Sequence, residues 1–371
     1  MTATDALEAT QAALLNGRWA DALALADGAI ADTSDPDVIV AATVARGTAL
    51  AQLERPGEAL GSLQMARERE QAAGRVVNAA ELALAQAGLQ VASGEPQSAI
   101  ASLVDAADRF GAAGEAMSQV RARLQLAQVN AMTGQLQPAA QLTDACVDEA
   151  RRLGDAALLA EACNQSGSLH LGAGQLDATV ASLREGLDAA ERSGEPGPRS
   201  QLRCNLAIAI SGQDPTRADA LVSEAEALAR TISDQVGRAG VLATAATAWR
   251  TIGRAERALR CGEEAVAAFR TAAAWPALLG AEVALADFCS SIGRSDLSNR
   301  YAQDALAVAD RFGGTQAQAM ALSQLGQLAF ARGDPAAARN AFGAAARRLR
   351  EAQLPVPPPL SAALSQLGVY S

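Results

Sequence analysis

The stretch from Ala321 to Ala346 reads ALSQLGQLAFARGDPAAARNAFGAAA. Its first part carries Leu325-Gly326, breaks at Gly333-Asp334-Pro335, and resumes with Ala338, Phe342 and Ala345 on one stripe. Residues three, four and seven apart share a helix face. Proline is tolerated in the first turn of a helix and glycine ends one. The stretch is therefore a helix, a tight turn and a second, antiparallel helix.

The same phrase recurs up the chain. Helix-breaking glycines stand at Gly17, Gly94, Gly134, Gly174, Gly212, Gly253, Gly293 and Gly333, at steps of 77, 40, 40, 38, 41, 40 and 40. The double first step has Glu54 where a glycine would fall, followed by Arg55-Pro56-Gly57. A fixed period of this size is the mark of a stacked repeat array. Five residues after each break comes a small residue: Ala22, Ala59, Ala99, Ala139, Thr179, Ala258, Ser298, Ala338, with Ala220 serving best in a shifted sixth repeat. Another follows seven residues on: Ala29, Ala66, Ala106, Cys146, Gly186, Ala227, Ala265, Ala305, Ala345. Small residues two turns apart let two helix backbones approach closely.

The spacing predicts first helices near 5–16, 36–53, 75–93, 115–133, 155–173, 198–211, 235–252, 275–292 and 315–332. Second helices are predicted near 18–31, 57–71, 96–110, 137–153, 176–192, 215–231, 255–271, 295–311 and 335–351. Residues 1–354 thus form nine hairpins. Residues 355–359, Pro-Val-Pro-Pro-Pro, read as a stiff extended linker. Residues 360–371 repeat ALSQLG at 363–368 letter for letter with 321–326. They are expected to form the first helix of an unfinished tenth repeat, capping the array or docking on a partner.

Composition agrees. Alanine supplies about a quarter of the 371 residues and aromatics 3%, a helix-forming mixture. The net charge of −10 argues against a nucleic-acid footprint, which needs a basic face. No apolar run reaches the ~18 residues of a membrane span, and the first residues lack the positive start of a signal peptide, so a cytoplasmic protein is expected. Cys146, Cys163, Cys204, Cys261 and Cys289 show no Cys-x-x-Cys spacing and sit among apolar neighbours, as reduced core thiols do. All 31 basic residues are arginine. A GC-rich codon bias explains this, and selection against modifiable lysines is the alternative.

The Leu-Gly of the first helix, the turn glycine, the small residue five later and another seven after that resemble the tetratricopeptide repeat over nearly the whole chain. That family's period is about 34, so the helices here are longer. The chain is similar to the extended arrays of bacterial transcriptional regulators and kinesin light chains, with LREGLDAAERSGE (183–195) in their manner. The family's aromatics survive only as Trp19, Trp249 and Phe342, and repeat six is irregular at 211–220.

The resemblance implies an all-α, right-handed superhelical solenoid of nine hairpins plus a capping helix. It also implies a concave groove of first helices that holds an extended or helical peptide. Carried over to this chain, the positions flanking the Leu-Gly are Arg121, Gln128, Glu161, Asn164, Ser168, Asn205, Thr247, Arg250, Asp287 and Gln327. Asn164 and Asn205 both follow cysteine, 41 residues apart. An asparagine amide donates and accepts, so it suits a peptide backbone. Arginines at 121 and 250 suit acidic or C-terminal carboxylate groups.

Catalysis has little to stand on. His170 is the single histidine and aligns with Trp249, an inter-helix position, so it is expected in the core rather than at a metal or in a triad. Phosphate-loop, dinucleotide and nucleophile-elbow motifs are absent. Glu263-Glu264 falls on a second helix whose outer face is solvated. The expected function is a non-catalytic adaptor or regulatory subunit that binds a protein or peptide, without cofactor or metal. Its partner would be a transcriptional regulator or other signalling protein supplied in trans. The alternative is a sensing module in which a ligand or signalling peptide shifts the superhelix.

Overall fold

The computed structural model describes residues 2–53, 55–312, 315–352, 354 and 356–368. Glu54, Pro355 of the predicted linker and the end of the predicted cap, 369–371, lie outside the described residues. Among those described, all regular structure is α-helical. The backbone divides into two compact units, one of residues 1–14 and 18–232, the other of 15–17 and 233–371.

The first unit carries α1 (Ala3–Leu15) but for its last residue, α2 (Trp19–Ala31), α3 (Pro36–Gln52), α4 (Pro56–Ala72), α5 (Val76–Ala92) and α6 (Pro96–Ala113). It continues with α7 (Ala116–Met132), α8 (Leu136–Leu153), α9 (Ala156–Gly172), α10 (Leu176–Ser193), α11 (Pro196–Ile210) and α12 (Pro215–Ala229). The second unit carries α13 (Gln235–Thr251), α14 (Ala255–Thr271), α15 (Trp275–Ser291) and α16 (Ser295–Phe312). After them come α17 (Thr315–Ala331), α18 (Pro335–Glu351) and the short α19 (Pro358–Gln366). Odd and even labels are the first and second helices of successive hairpins. Each unit is an all-α helical-repeat solenoid.

Sequence sets these limits directly. Proline occupies the first helical position of α3, α4, α6, α11, α12 and α18, where no N–H is needed. Aspartates cap several starts: Asp155 Oδ1 accepts from Leu158 N at 2.9 Å and Asp334 Oδ1 from Ala337 N at 2.9 Å. Such caps stabilise a helix by ~1 kcal/mol. The turn glycine Gly174, at φ 73°, closes α9 in the left-handed region that an L side chain resists.

The small residues are packing residues. Ala22, Ala29, Ala59, Ala99, Ala106, Ala139, Ala265, Ala305, Ala338 and Ala345 are fully buried. A Cβ on Gly186 would stand 2.8 Å from Cys163 Cβ, so α10 and α9 touch backbone to side chain there. Repeat six corrects the expected register. Ala220 is half-buried and Ala227 exposed, whereas Ala218 and Ala225 are fully buried. The cause is local: Gly212 lacks the left-handed backbone of the other breaks, and Asp214 caps α12 through Arg217 N at 2.9 Å. The second helix starts one place later after its glycine than in the other repeats, and Ala218 and Ala225 keep the usual three and ten places from its first residue, Pro215.

At the end of the second unit, α19 lays Leu360, Leu364 and Leu367 against Phe342, Ala346 and Leu349 of α18. Ending the chain at Leu354 is expected to bare this cluster. Burying three leucines is worth several kcal/mol, but most of that is offset by the entropy of ordering α19. The expected result is a melting temperature lower by about 3–5 °C, together with self-association in sedimentation. An unchanged, monomeric truncation would show that the helix serves a partner instead.

Candidate functional site

Within each unit the first helices form the tighter row. Helix α3 packs on α5, α7 on α9 and α9 on α11; in the second unit α13 packs on α15 and α15 on α17. Among the described residues no two successive second helices pack comparably. The polar side chains of the first helices therefore stand beside those of the next hairpin, about one period along.

The structure brings six of the ten expected residues together in pairs. Arg121 Nε lies 3.7 Å from Glu161 Oε2, between α7 and α9. Asn205 Nδ2 donates to Asn164 Oδ1 at 2.7 Å, between α11 and α9. Arg250 Nη1 lies 3.5 Å from Asp287 Oδ2, between α13 and α15. Each pair is a rung across neighbouring repeats. Ser168 Oγ and Thr247 Oγ1 donate to carbonyls of their own helices, Asn164 O at 2.9 Å and Ala243 O at 3.1 Å. Gln128 and Gln327 are exposed.

The rungs differ in strength. Both ion pairs are long and exposed, and such pairs contribute ~0–1 kcal/mol. The two asparagines are half-buried and their bond is short. It uses one donor of Asn205 and the acceptor of Asn164. An amide offers two donors and an acceptor, so each side chain keeps hydrogen-bonding capacity beyond this bond. Two further lateral contacts escaped sequence reasoning. Asn78 Nδ2 donates to Asp37 Oδ1 at 3.1 Å, and Gln165 Nε2 to Leu124 O at 2.7 Å. Both span 41 residues, the spacing of Asn164 and Asn205, and that spacing was the signal to search for.

Two clefts open on these faces, one in each unit. In the first unit, Ser168 and Asn205 rim a hollow over Gly167, Leu183 and Ile208, with about 550 Å³ of empty space including its mouth. Leu183 covers Gly167, whereas nothing stands within 4 Å of where a Cβ on Gly172 would be, so α9 is bare of side chains at Gly172. In the second unit, Thr247 and Arg250 rim an apolar cleft of about 440 Å³, mouth included, between α13, α14 and α15. Sequence reasoning named the rims and missed the hollows.

The second helices use arginine differently. Arg151 bridges α8 to α10 with two bonds to Glu185, Nε to Oε1 at 3.0 Å and Nη2 to Oε2 at 3.1 Å. Arg294, in the turn before α16, reaches Glu256 of α14 at 2.7 Å, and Arg348 of α18 reaches Asp310 of α16 at 2.8 Å. The forked guanidinium suits such bridging better than an ammonium.

His170 is half-buried rather than in the core: its Nδ1 lies 2.7 Å from Gln175 Oε1 and its Nε2 3.4 Å from Asp144 Oδ1. Trp249, with which it aligns, is fully buried beneath the Arg257 guanidinium, 4.6 Å from the ring centre. All five cysteines are buried thiols outside any disulfide. Burial pushes Cys146 to about 11 and Cys163 to about 12, which removes thiolate character. Among the described residues Glu70 and Glu282 are buried carboxylates. Arg75 binds both oxygens of Glu70 and holds its pKa below the usual range. Burial raises that of Glu282, which has Arg270 Nη2 at 2.6 Å on Oε1 and no partner on Oε2. Among the described residues no helix is long and apolar enough to cross a membrane, and no His, Cys, Asp and Glu cluster could hold a metal.

No protein-family model matches the chain, and no curated protein matches it. Solved structures do. The apo form of RapI aligns with 73% of this chain and 98% of its own length, at 13% identity and a TM-score of 0.52. The apo form of the quorum sensor NprR from B. thuringiensis aligns with 82% of this chain and 87% of its own, at 16% identity and a TM-score of 0.53. At such identities the likeness is one of fold. That fold is a tetratricopeptide-like helical-repeat solenoid.

Proposed function

We propose that this chain is a non-catalytic, cytoplasmic binding protein whose first-helix faces take a peptide or an extended segment of a protein. The observation that carries the reading is the Asn164–Asn205 rung at the rim of an open hollow. Two amides locked to each other keep their orientation, and Asn205, with a donor and its acceptor unused by that bond, lines the hollow a backbone would enter. Preorganised groups bind at a lower entropic cost. The quorum sensor of the same fold makes a regulatory partner in trans, such as a transcriptional regulator, the natural class to test.

Arg250 extends the reading to the second unit. Its bond to Asp287 is weak enough to exchange for a partner's carboxylate, and a hydrogen bond to a charged group is worth roughly 1.5–3 kcal/mol. The weak rungs also favour a second reading, in which a signalling peptide that breaks Arg121–Glu161 or Arg250–Asp287 alters how neighbouring repeats pack.

The test is co-purification from the native host, followed by titration of the captured partner against wild type, Asn164→Ala, Asn205→Ala and Arg250→Ala. Each substitution is expected to weaken binding by about tenfold or more, one such bond corresponding to at least ~1.4 kcal/mol. Thermal melts serve as the folding control. Equal binding by all four proteins would sink the reading and move attention to the second-helix face or to α19.

A further inference from the structure

In several hairpins a small residue of the first helix faces a large one sixteen places on. Gly47 precedes Leu63, Ala87 precedes Leu103, Gly167 precedes Leu183 and Gly326 precedes Phe342 by that interval. The contacts are real. A Cβ on Gly167 would stand 2.6 Å from Leu183, one on Gly326 2.7 Å from Phe342, and one on Gly47 3.4 Å from Leu63. Ala87 and Leu103 share a core cluster. In each case the second helix fills the seam with its own side chain.

Repeat seven breaks the rule. Sixteen residues after Ala246 stands Gly262, so small meets small and α14 sends nothing into the seam. Smallness alone does not open a seam. In repeat eight, Ala286 and Ala302 occupy the same places, both are fully buried, and Ser298 Oγ of α16 reaches Ala286 O of α15 at 2.5 Å. In repeat seven Leu285 of α15 leans into Gly262, where a Cβ would stand 2.5 Å from its Cδ2. The space beside it stays empty. Ala243 and Ala246 of α13, Gly262 of α14, and Ala281 and Phe288 of α15 line this cleft. It has the place that a leucine or phenylalanine fills in the four hairpins named above.

The mouth is charged on one side. Arg250 lines the cleft, its side chain 44% exposed and only loosely held by Asp287 at 3.5 Å. Helix α13 carries Arg238 and Arg250 and no acidic residue, in a chain of net charge −10. An occupant therefore needs a large apolar group for the seam and an anionic group for the α13 side of the mouth.

We infer that the seam of repeat seven receives one large aliphatic or aromatic side chain of a bound peptide, with an acidic residue next to it held by Arg250. This rests on the peptide-binding reading above. The peptide supplies from outside the knob that α14 lacks. Burying such a side chain favours binding because apolar surface leaves water and fills an otherwise empty space.

The experiment selects peptides from a displayed random library against the full chain, then titrates synthetic copies by fluorescence anisotropy. Enriched peptides are expected to share a Leu, Ile, Met, Phe or Trp beside an Asp or Glu. Changing that apolar residue to Ala should weaken binding to wild type at least tenfold. Ala246→Leu fills the seam from within and should cost a similar factor, after which the peptide's own Ala change has no further effect. Gly262→Leu is avoided because Leu285 blocks it; Ala281→Leu, from the opposite wall, guards against a variant that fails to fold. Arg250→Gln should weaken peptides with the acidic residue and leave their Asn or Gln versions unchanged. Peptides that bind Ala246→Leu and Ala281→Leu as they bind wild type would overturn the inference and leave the peptide-binding reading standing. If octanoate displaces the peptides from wild type but not from Ala246→Leu, and binds tighter than they do, the occupant is a free acid and the inference also falls. A library that yields no binders overturns both.

Discussion

Replacing Arg270 with methionine is expected to destabilise the second unit by about 2–3 kcal/mol at pH 7 and by clearly less near pH 5. Glu282 is fully buried on α15, and one of its oxygens has no partner. Arg270 Nη2 holds the other at 2.6 Å, while Asp304, 3.6 Å from the same nitrogen, adds negative charge. Breaking a buried pair usually costs ~3–5 kcal/mol; the figure here is lowered to about 2–3 because the Arg270 side chain is half in water. Burial raises the native pKa of Glu282 above its unfolded value. The native state then binds the proton more tightly, so this group favours folding as pH falls through its native pKa. Without Arg270 that pKa rises further, and acid neutralises the orphaned charge.

Glu70 in the first unit has the opposite sign. Arg75 lowers its native pKa, so its contribution is present above the unfolded carboxylate range and is lost as pH falls. Hydrogen exchange followed on α14–α16 and on α4–α5 separately reads both. Relative to Glu282→Gln, wild type should gain stability on acidification; relative to Glu70→Gln, it should lose it. An Arg270→Met deficit that stays constant from pH 7 to pH 5 would refute this account of Glu282.

The fold was legible because its signals are periodic. A glycine every ~40 residues and small residues seven apart survive any local noise, and the helices fall within a few residues of the predicted limits. Repeat six was misread because Gly212 looks like a break glycine, while Asp214 and Pro215 actually place the helix start. The first-helix residues were legible as a face but not as pairs. Pairing depends on the register between hairpins, and only the 41-residue interval of Asn164 and Asn205 encodes it. The clefts were missed for a simpler reason: each is a missing side chain. Gly262 becomes informative only once its place is known to be that of Leu183 and Phe342, which needs the contacts of Gly167 and Gly326.

That exchange of small for large leads to the second large effect, at Phe342. Phe342→Ala is expected to cost about 3–5 kcal/mol, the usual range for deleting a buried aromatic ring. The ring is 3% exposed and sits in one cluster with Ala346, Leu349, Leu360 and Leu364, so the loss reaches α19 as well as the hairpin. Ring carbons stand 2.7 Å from where a Cβ on Gly326 would be. Ring and backbone cannot both give way in a packed seam, so Gly326→Ala alone is expected to cost ~1–3 kcal/mol through overpacking. If the two positions share one space, the penalties must not add. Phe342→Leu draws atoms back from the added methyl, and the double variant Gly326→Ala/Phe342→Leu should be more stable than the sum of the singles predicts by at least ~1 kcal/mol. Urea unfolding of the four proteins closes the cycle. Strict additivity would mean that the sixteen-residue partnership is geometric coincidence. The empty seam of repeat seven would then lose its meaning too, since its vacancy is defined by what Phe342 and Leu183 fill in the others.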